Sequence, residues 1–170
     1  MRVVVNDANI LIDIVKLKML SQFFAQEHSF YTSDIILEEL HHEQQQELQP
    51  YIEEGKLRVI SFDMDELMLI GELQSEKPQF SEQDCSAIVC ALKVNGKLLT
   101  SDNTLRKFAE FRKMIVRGHL WVFDQLVEQG IIAGNQAVEK LRVLIKEINP
   151  RLGLPPKESE AQLAAWKGLK

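Results

Sequence analysis

Four acidic residues have the type and position to do chemistry: Asp7, Glu39, Asp84 and Asp102. Asp7 closes the apolar run "RVVVN" and opens the helix-patterned "ANILIDI", while Asp102 directly follows "KLLTS". Asp84 stands three residues after Ser81 in "SEQDCSAIVCAL", and Glu39 lies beside Glu38 in "TSDIILEEL". Taken singly, each has an ordinary structural use. Asp7 and Asp102 suit helix N-caps, Ser81 with Asp84 fits a variant capping box, and Glu39 suits a solvated surface. Capping gives Glu39 no reason to share an edge with the other three. Carboxylates gathered at one edge repel, and without a counter-charge some stay protonated near neutral pH. A hard divalent cation removes the conflict, because Mg²⁺ or Mn²⁺ prefers oxygen ligands and retains several waters. Such an ion acidifies water and steadies the charge developing on a phosphodiester, so the expected chemistry is metal-assisted phosphodiester hydrolysis.

For the four acids to meet, the elements carrying them must end at one edge. Strand-like and helix-like runs alternate along the chain. "RVVV" (2–5) reads as a strand covered on both faces, and Ile10, Leu11, Ile14 and Leu17 follow at helical spacing. "SFYT" (29–32) is the second strand, after which Ser33 or Asp34 caps a helix containing Ile36, Leu37 and Leu40. Glu39 then lies one or two turns into that helix. "HHEQQQELQP" (41–50) reads as a solvated continuation or turn, and "KLRVISF" (56–62) as the third strand. Helices are expected over 65–76 and 81–96, with Asn95-Gly96 as the stop signal of the second. "KLLTS" (97–101) and "MIVRG" (114–118) are the last strands, on either side of a helix over 102–112. Two further helices are expected over 119–129 and 135–148. The pattern predicts an α/β fold: a three-layer α/β/α sandwich around a central, mostly parallel five-stranded sheet. Ligands in such folds gather at the carboxyl ends of the strands, where these acids fall. Residues 1–148 are read as the nuclease-like domain. Residues 149–170 are read as a linker, "NPRLGLPP", and a short helix over 157–169 that docks on the body or on another protomer.

At these same residues the sequence resembles the PIN domain family. "VNDANILIDI" looks like that family's opening strand with Asp-x-Asn, and "TSDIILEEL" like its second motif, an acid before an apolar residue. "SEQDCSAIVCAL" is similar to its Ser-x-x-Asp helix, and "LLTSDNTLRKFA" to its strand ending in Thr-x-Asp. The resemblance covers about residues 1–118. It implies a Mg²⁺- or Mn²⁺-dependent endoribonuclease with Asp7, Glu39, Asp84 and Asp102 as catalytic and metal-binding acids. It also implies that Asn9, Thr100 or Ser101 orients ligands or water. Many relatives are VapC-type toxins, so an antitoxin protein and a homodimer are implied as partners. There are departures. Asn6 precedes Asp7 where the family has an apolar or small residue. Glu38 competes with Glu39, which is preferred because Leu40 follows it. Roughly 50 residues extend beyond the fifth strand, and "VRGHLWVFDQLVEQGIIAG" looks like a PIN-like bacterial branch.

Composition sets the remaining bounds. A chain of 170 residues, 45% of them hydrophobic, suits one domain with a sizeable core. No apolar run reaches the roughly 18–20 residues of a membrane span. Met1-Arg2 leads straight into a strand pattern without signal-peptide features, so a cytoplasmic location is expected. Cys85 and Cys90 are five apart on a helical pattern, point in different directions, and are read as reduced, buried thiols. The net charge of −5 divides unevenly, being −11 over residues 1–85 and +6 over residues 86–170. Such asymmetry fits an acidic site beside a basic surface. Arg106, Lys107, Arg112 and Lys113, with Arg117, are the candidate RNA-phosphate contacts. Phe108 and Phe111, interleaved with them, are expected to pack in the core rather than stack on bases. His41 and His42 diverge on a helix, and His119 receives no role. The rival readings are a catalytically silent PIN-like module that binds RNA or protein, and an aspartate-phosphorylated receiver or phosphohydrolase. Against the latter, Asp7-Ala8-Asn9 lacks the second acid of an Asp-x-Asp loop.

Overall fold

The structure is a computed structural model that describes residues 2–168. Five strands form its centre: β1 (Arg2–Asn6), β2 (His28–Ser33), β3 (Leu57–Ile60), β4 (Lys97–Leu99) and β5 (Val116–Arg117). They lie in the order β3-β2-β1-β4-β5 and every pairing is parallel. Val4, Val5, Leu98 and Leu99 are completely buried, as expected of strands covered on both faces. The all-parallel sheet bears out the sandwich read from the alternating pattern.

Among the described residues, ten α-helices flank the sheet: α1 (Ala8–Lys16), α2 (Leu20–Phe24), α3 (Asp34–Leu37), α4 (His42–Glu53), α5 (Met64–Glu76), α6 (Glu82–Val94), α7 (Asn103–Phe111), α8 (His119–Glu128), α9 (Gly134–Val143) and α10 (Pro156–Lys167). α1 packs with α2 and α4, and α8 joins that layer through α2 and α9. α6 packs across β1, β2 and β4 on the other side, with α5 and α3 beside it. From β1 the chain winds outward through β2 to β3, then returns across the sheet to β4 and on to β5. The winding therefore reverses between β1 and β4. That reversal opens a crevice beyond the carboxyl ends of these two strands, the switch point of an open parallel sheet.

Local sequence accounts for most of the boundaries. Asp63 and Ser81 close capping boxes at the starts of α5 and α6. α6 ends at Asn95, whose φ of 50° is the left-handed conformation that asparagine tolerates. Gly96 follows because a Cβ there would sit 3.0 Å from the Val3 side chain and 3.2 Å from its carbonyl oxygen.

Several elements differ from the sequence expectation. α3 stops at Leu37, so Leu40 and Glu39 are not helical. Gln45 braces the turn that follows, since its Nε2 donates to the carbonyls of Leu37 and Leu40 at 2.9 and 3.0 Å. "HHEQQQELQP" is not a turn but most of α4, anchored by the fully buried Leu48. α2 has no counterpart in the sequence reading. It supplies Phe23 and Phe24 to an aromatic cluster in which the Phe23 and Phe30 rings lie 4.5 Å apart. The helix expected over 135–148 is α9 followed by a π-helical turn, Leu144–Ile148. The Asn149 amide donates to the Leu144 carbonyl at 2.7 Å, and its Nδ2 donates to Asp13 on α1 at 3.1 Å, so a tertiary contact widens the turn. α10 lies against α8 and α9, with Trp166 only 1% exposed and its ring 6.0 Å from Phe123. The last two residues of the helix expected there include Leu169, outside the described residues.

Candidate active site at the carboxyl rim

Asp7 sits at the switch point. Its amide donates to the Leu99 carbonyl at 3.0 Å, which fastens the end of β1 to the end of β4. Its carboxylate is 3% exposed and doubly held. Oδ1 accepts from the Ala8 amide at 2.9 Å, and Oδ2 accepts from the Thr100 hydroxyl at 2.7 Å and from Asn9 Nδ2 at 3.2 Å. β4 ends at Leu99, and Thr100, fully buried just past it, donates its amide to the Arg117 carbonyl at 3.0 Å and turns its hydroxyl to the site. Asn9 Oδ1 accepts in turn from the Ser101 amide at 3.3 Å, and the Asp102 amide donates to Thr100 Oγ1 at 3.1 Å. Asp7, Asn9, Thr100, Ser101 and Asp102 thus form one hydrogen-bonded group across a sequence gap of more than ninety residues. Asn6, the family departure, turns away from this group and donates Nδ2 to the Tyr31 carbonyl at 3.1 Å.

Electrostatics mark Asp7 as the unusual member. Burial pushes its carboxyl up to about 7; the Thr100 hydrogen bond pulls against this, and the charges of Asp84 and Glu39 add to the rise. Glu39, exposed in the turn after α3, is also held above the ordinary carboxylate range, first by desolvation and then by Asp84. Of the two neighbouring glutamates, it is the charge of Glu39 that adds to the rise at Asp7. Asp84 is brought to the rim by α6, whose Ser86 hydroxyl lies 3.1 Å from that of Ser33 at the end of β2.

The four acids do not close into a cage. Among the described residues, no group of three His, Cys, Asp or Glu side chains is close enough to hold one metal ion. Two of the carboxylates are drawn back onto the backbone. Asp84 Oδ2 accepts from the Ser81 amide at 2.9 Å, and Asp102 Oδ1 accepts from the Leu105 amide at 2.9 Å. The capping use and the edge position are both real, and mutual repulsion favours the capped rotamers. The oxygen-only donor set around Asp7, with Asp84 and Glu39 raising its charge cost, fits a hydrated Mg²⁺ or Mn²⁺. Such an ion takes one or two carboxylates and keeps its remaining waters.

The basic candidates separate. Arg106 Nη2 donates to the Thr100 carbonyl at 3.4 Å, beside the acids. Arg117 ends β5 and borders the same hollow as Arg106 and Ser101. Lys107 and Arg112 flank Phe108, with the Arg112 guanidinium 5.0 Å from that ring. Lys113 lies in a hollow at the opposite rim, with Arg2 and Lys97. Phe108 packs on Phe80, but Phe111 is 87% exposed, because α7 turns Leu105 and Ala109 inward and Phe111 outward. Cys85 and Cys90 are free and buried, their thiols pushed by desolvation up to about 11 and about 12, which leaves them unreactive. His119, given no role from sequence, is buried with Nε2 2.9 Å from Asp13 Oδ2. No local motif announced that pair, since its members are separated by most of the chain.

A family model described as a PIN domain matches residues 3–157. The chain belongs to the PIN domain family. The PIN match continues past β5 through the segment after the π-helical turn and into the first residues of α10. No curated protein matches the chain. Among solved structures, this PIN domain is similar to a chain of the VapBC2 complex from Rickettsia felis bound to a DNA fragment from their promoter. The two are 19% identical, the match covers 68% of this chain and 98% of that one, and the TM-score is 0.49. Among the described residues, no helix is long and apolar enough to cross a membrane.

Proposed function

We propose that this PIN domain is a Mg²⁺- or Mn²⁺-dependent ribonuclease that hydrolyses phosphodiester bonds at the rim crevice between β1 and β4. The observation that carries the reading is Asp7: a carboxyl buried at the switch point, pushed up to about 7, with Asp84 and Glu39 raising it further. A cation is the partner that would make this charge favourable. Asp7 would hold the ion, with Asp84, Asp102 and Glu39 as the further acids around it. The ion, when bound, supplies Lewis acidity toward water and a phosphate oxygen. The chain does the rest. Thr100 and Asn9 hold the Asp7 carboxylate in one orientation. Glu39, raised above the ordinary carboxylate range, is suited to accept a proton from the attacking water. Arg106, fixed to the Thr100 carbonyl, offers positive charge to the phosphate backbone next to the acids.

Cleavage of labelled RNA in Mg²⁺, in Mn²⁺ and in EDTA tests the reading, beside Asp7→Asn and Asp102→Asn. Cleavage in either metal that EDTA abolishes and both substitutions reduce is expected. Equal cleavage across all samples would overturn it. A catalytically silent module that binds RNA or protein is the second reading, favoured by the lack of a three-acid cage among the described residues. It predicts retention of RNA with no cleavage in either ion. An antitoxin partner and a homodimer belong to the proposal on grounds of family resemblance, and light scattering of the purified chain reads the second.

A further inference from the structure

Beside the acids lies a hollow of about 420 Å³, bordered by Ser101 and Arg106 on one side and Arg117 and Gly118 on another. Leu154, from the segment that follows the π-helical turn, and Glu158, in the first turn of α10, also border it. Each arginine spends one donor nitrogen on a backbone carbonyl, Arg106 on Thr100 and Arg117 on Val116. Arg117 has no acidic partner within 4.0 Å among the described residues, and the one acid near Arg106 is Glu110 at 3.9 Å. Gly118 is what allows Arg106 its position, because a Cβ there would stand 2.9 Å from the guanidinium Nη2. The buried His119 also lines the hollow, and its Nδ1 has no hydrogen-bond partner.

Guanidinium groups without a close acidic partner in a hollow suit phosphodiester oxygens, which planar Arg donors meet in pairs. We propose that this hollow is a subsite for the sugar-phosphate of single-stranded RNA next to the bond being cut, and that the segment after the π-helical turn exists to wall it. The choice of RNA rests on the nuclease reading above. Glu158 borders the same hollow as the arginines, and its charge tempers their attraction for an anion. This gives the subsite a residue whose removal strengthens binding.

The test is fluorescence anisotropy of a labelled six-nucleotide single-stranded RNA with the full chain in EDTA, so that no cleavage is needed. Arg117→Gln is expected to weaken binding roughly 10-fold and to reduce the salt slope by about 0.7. Gly118→Ala weakens it by displacing Arg106, and Glu158→Gln tightens it several-fold. Lys56→Gln, in a turn away from the hollow and paired with Glu54, leaves it unchanged. No binding by the wild type, or Arg117→Gln and Glu158→Gln both matching it, would overturn the subsite, as would weaker binding by Glu158→Gln. Binding that depends on Arg117 in a protein that cleaves nothing in Mg²⁺ or Mn²⁺ sinks the nuclease reading and keeps the subsite.

Discussion

Asp7 holds its proton longer when folded than when unfolded. Its carboxyl is raised from 3.8 to about 7, chiefly by burial. Between about pH 4 and 7 the unfolded chain has released a proton that the folded chain keeps, so stability falls as pH rises through that window and levels off above it. Without metal, the melting temperature is expected to fall between about pH 5 and pH 8. Asp7→Asn should flatten that fall and leave the protein more stable at about pH 8, by a few kcal/mol at most; a melting curve in EDTA at several pH values checks it. Thr100 acts in the opposite sense, because its hydroxyl lowers the Asp7 pKa. Thr100→Val keeps the shape and removes the donor, so the pH profile of cleavage should shift to higher pH and the rate should drop by about 10–100-fold. A profile that does not move would mean that Thr100 serves packing alone.

At the scale of elements, the buried Asp13 decides how the layer around α1 closes. It lies 2.9 Å from His119 on α8 and accepts from Asn149 at the exit of the π-helical turn. Three elements distant in sequence meet on one carboxylate. Asp13→Ala takes the carboxylate from the buried His119 and the half-buried Asn149 and is expected to cost about 1–3 kcal/mol. Urea denaturation should show a lower midpoint with an unchanged slope. The short α3 teaches the complementary lesson. Ile36, Leu37 and Leu40 have helical spacing, yet the helix ends at Leu37 and Gln45 from the next helix braces the turn through the carbonyls of Leu37 and Leu40. The turn so formed, and not a helical face, sets Glu39 at the rim.

For the molecule as a whole, the chain beyond β5 is tied into the body. α8 and α9 complete one layer, and α10 closes over them through Trp166, which is 1% exposed and near Phe123. Trp166→Ala is expected to cost about 3–5 kcal/mol, read as a lowered urea midpoint. Because the segment before α10 walls the arginine hollow, the same variant should also bind short RNA more weakly while still folded at low temperature. Unchanged RNA binding by that folded variant would separate the role of α10 in stability from any role at the rim.

The sequence by itself determined the alternation of strands and helices, the parallel sandwich and the edge at which the acids fall. Those features follow from local periodicity, caps and the fixed handedness of crossovers, all of which act within a few residues or within one β-α-β unit. Only the tertiary structure decided that Asp7 pairs with Thr100 at the switch point. It alone sorted the basic residues, placing Arg106 and Arg117 beside the acids and Lys113 at the far rim. Such outcomes depend on which strands become neighbours and on the burial and charge they then share, and these are set by contacts between residues ninety or more positions apart.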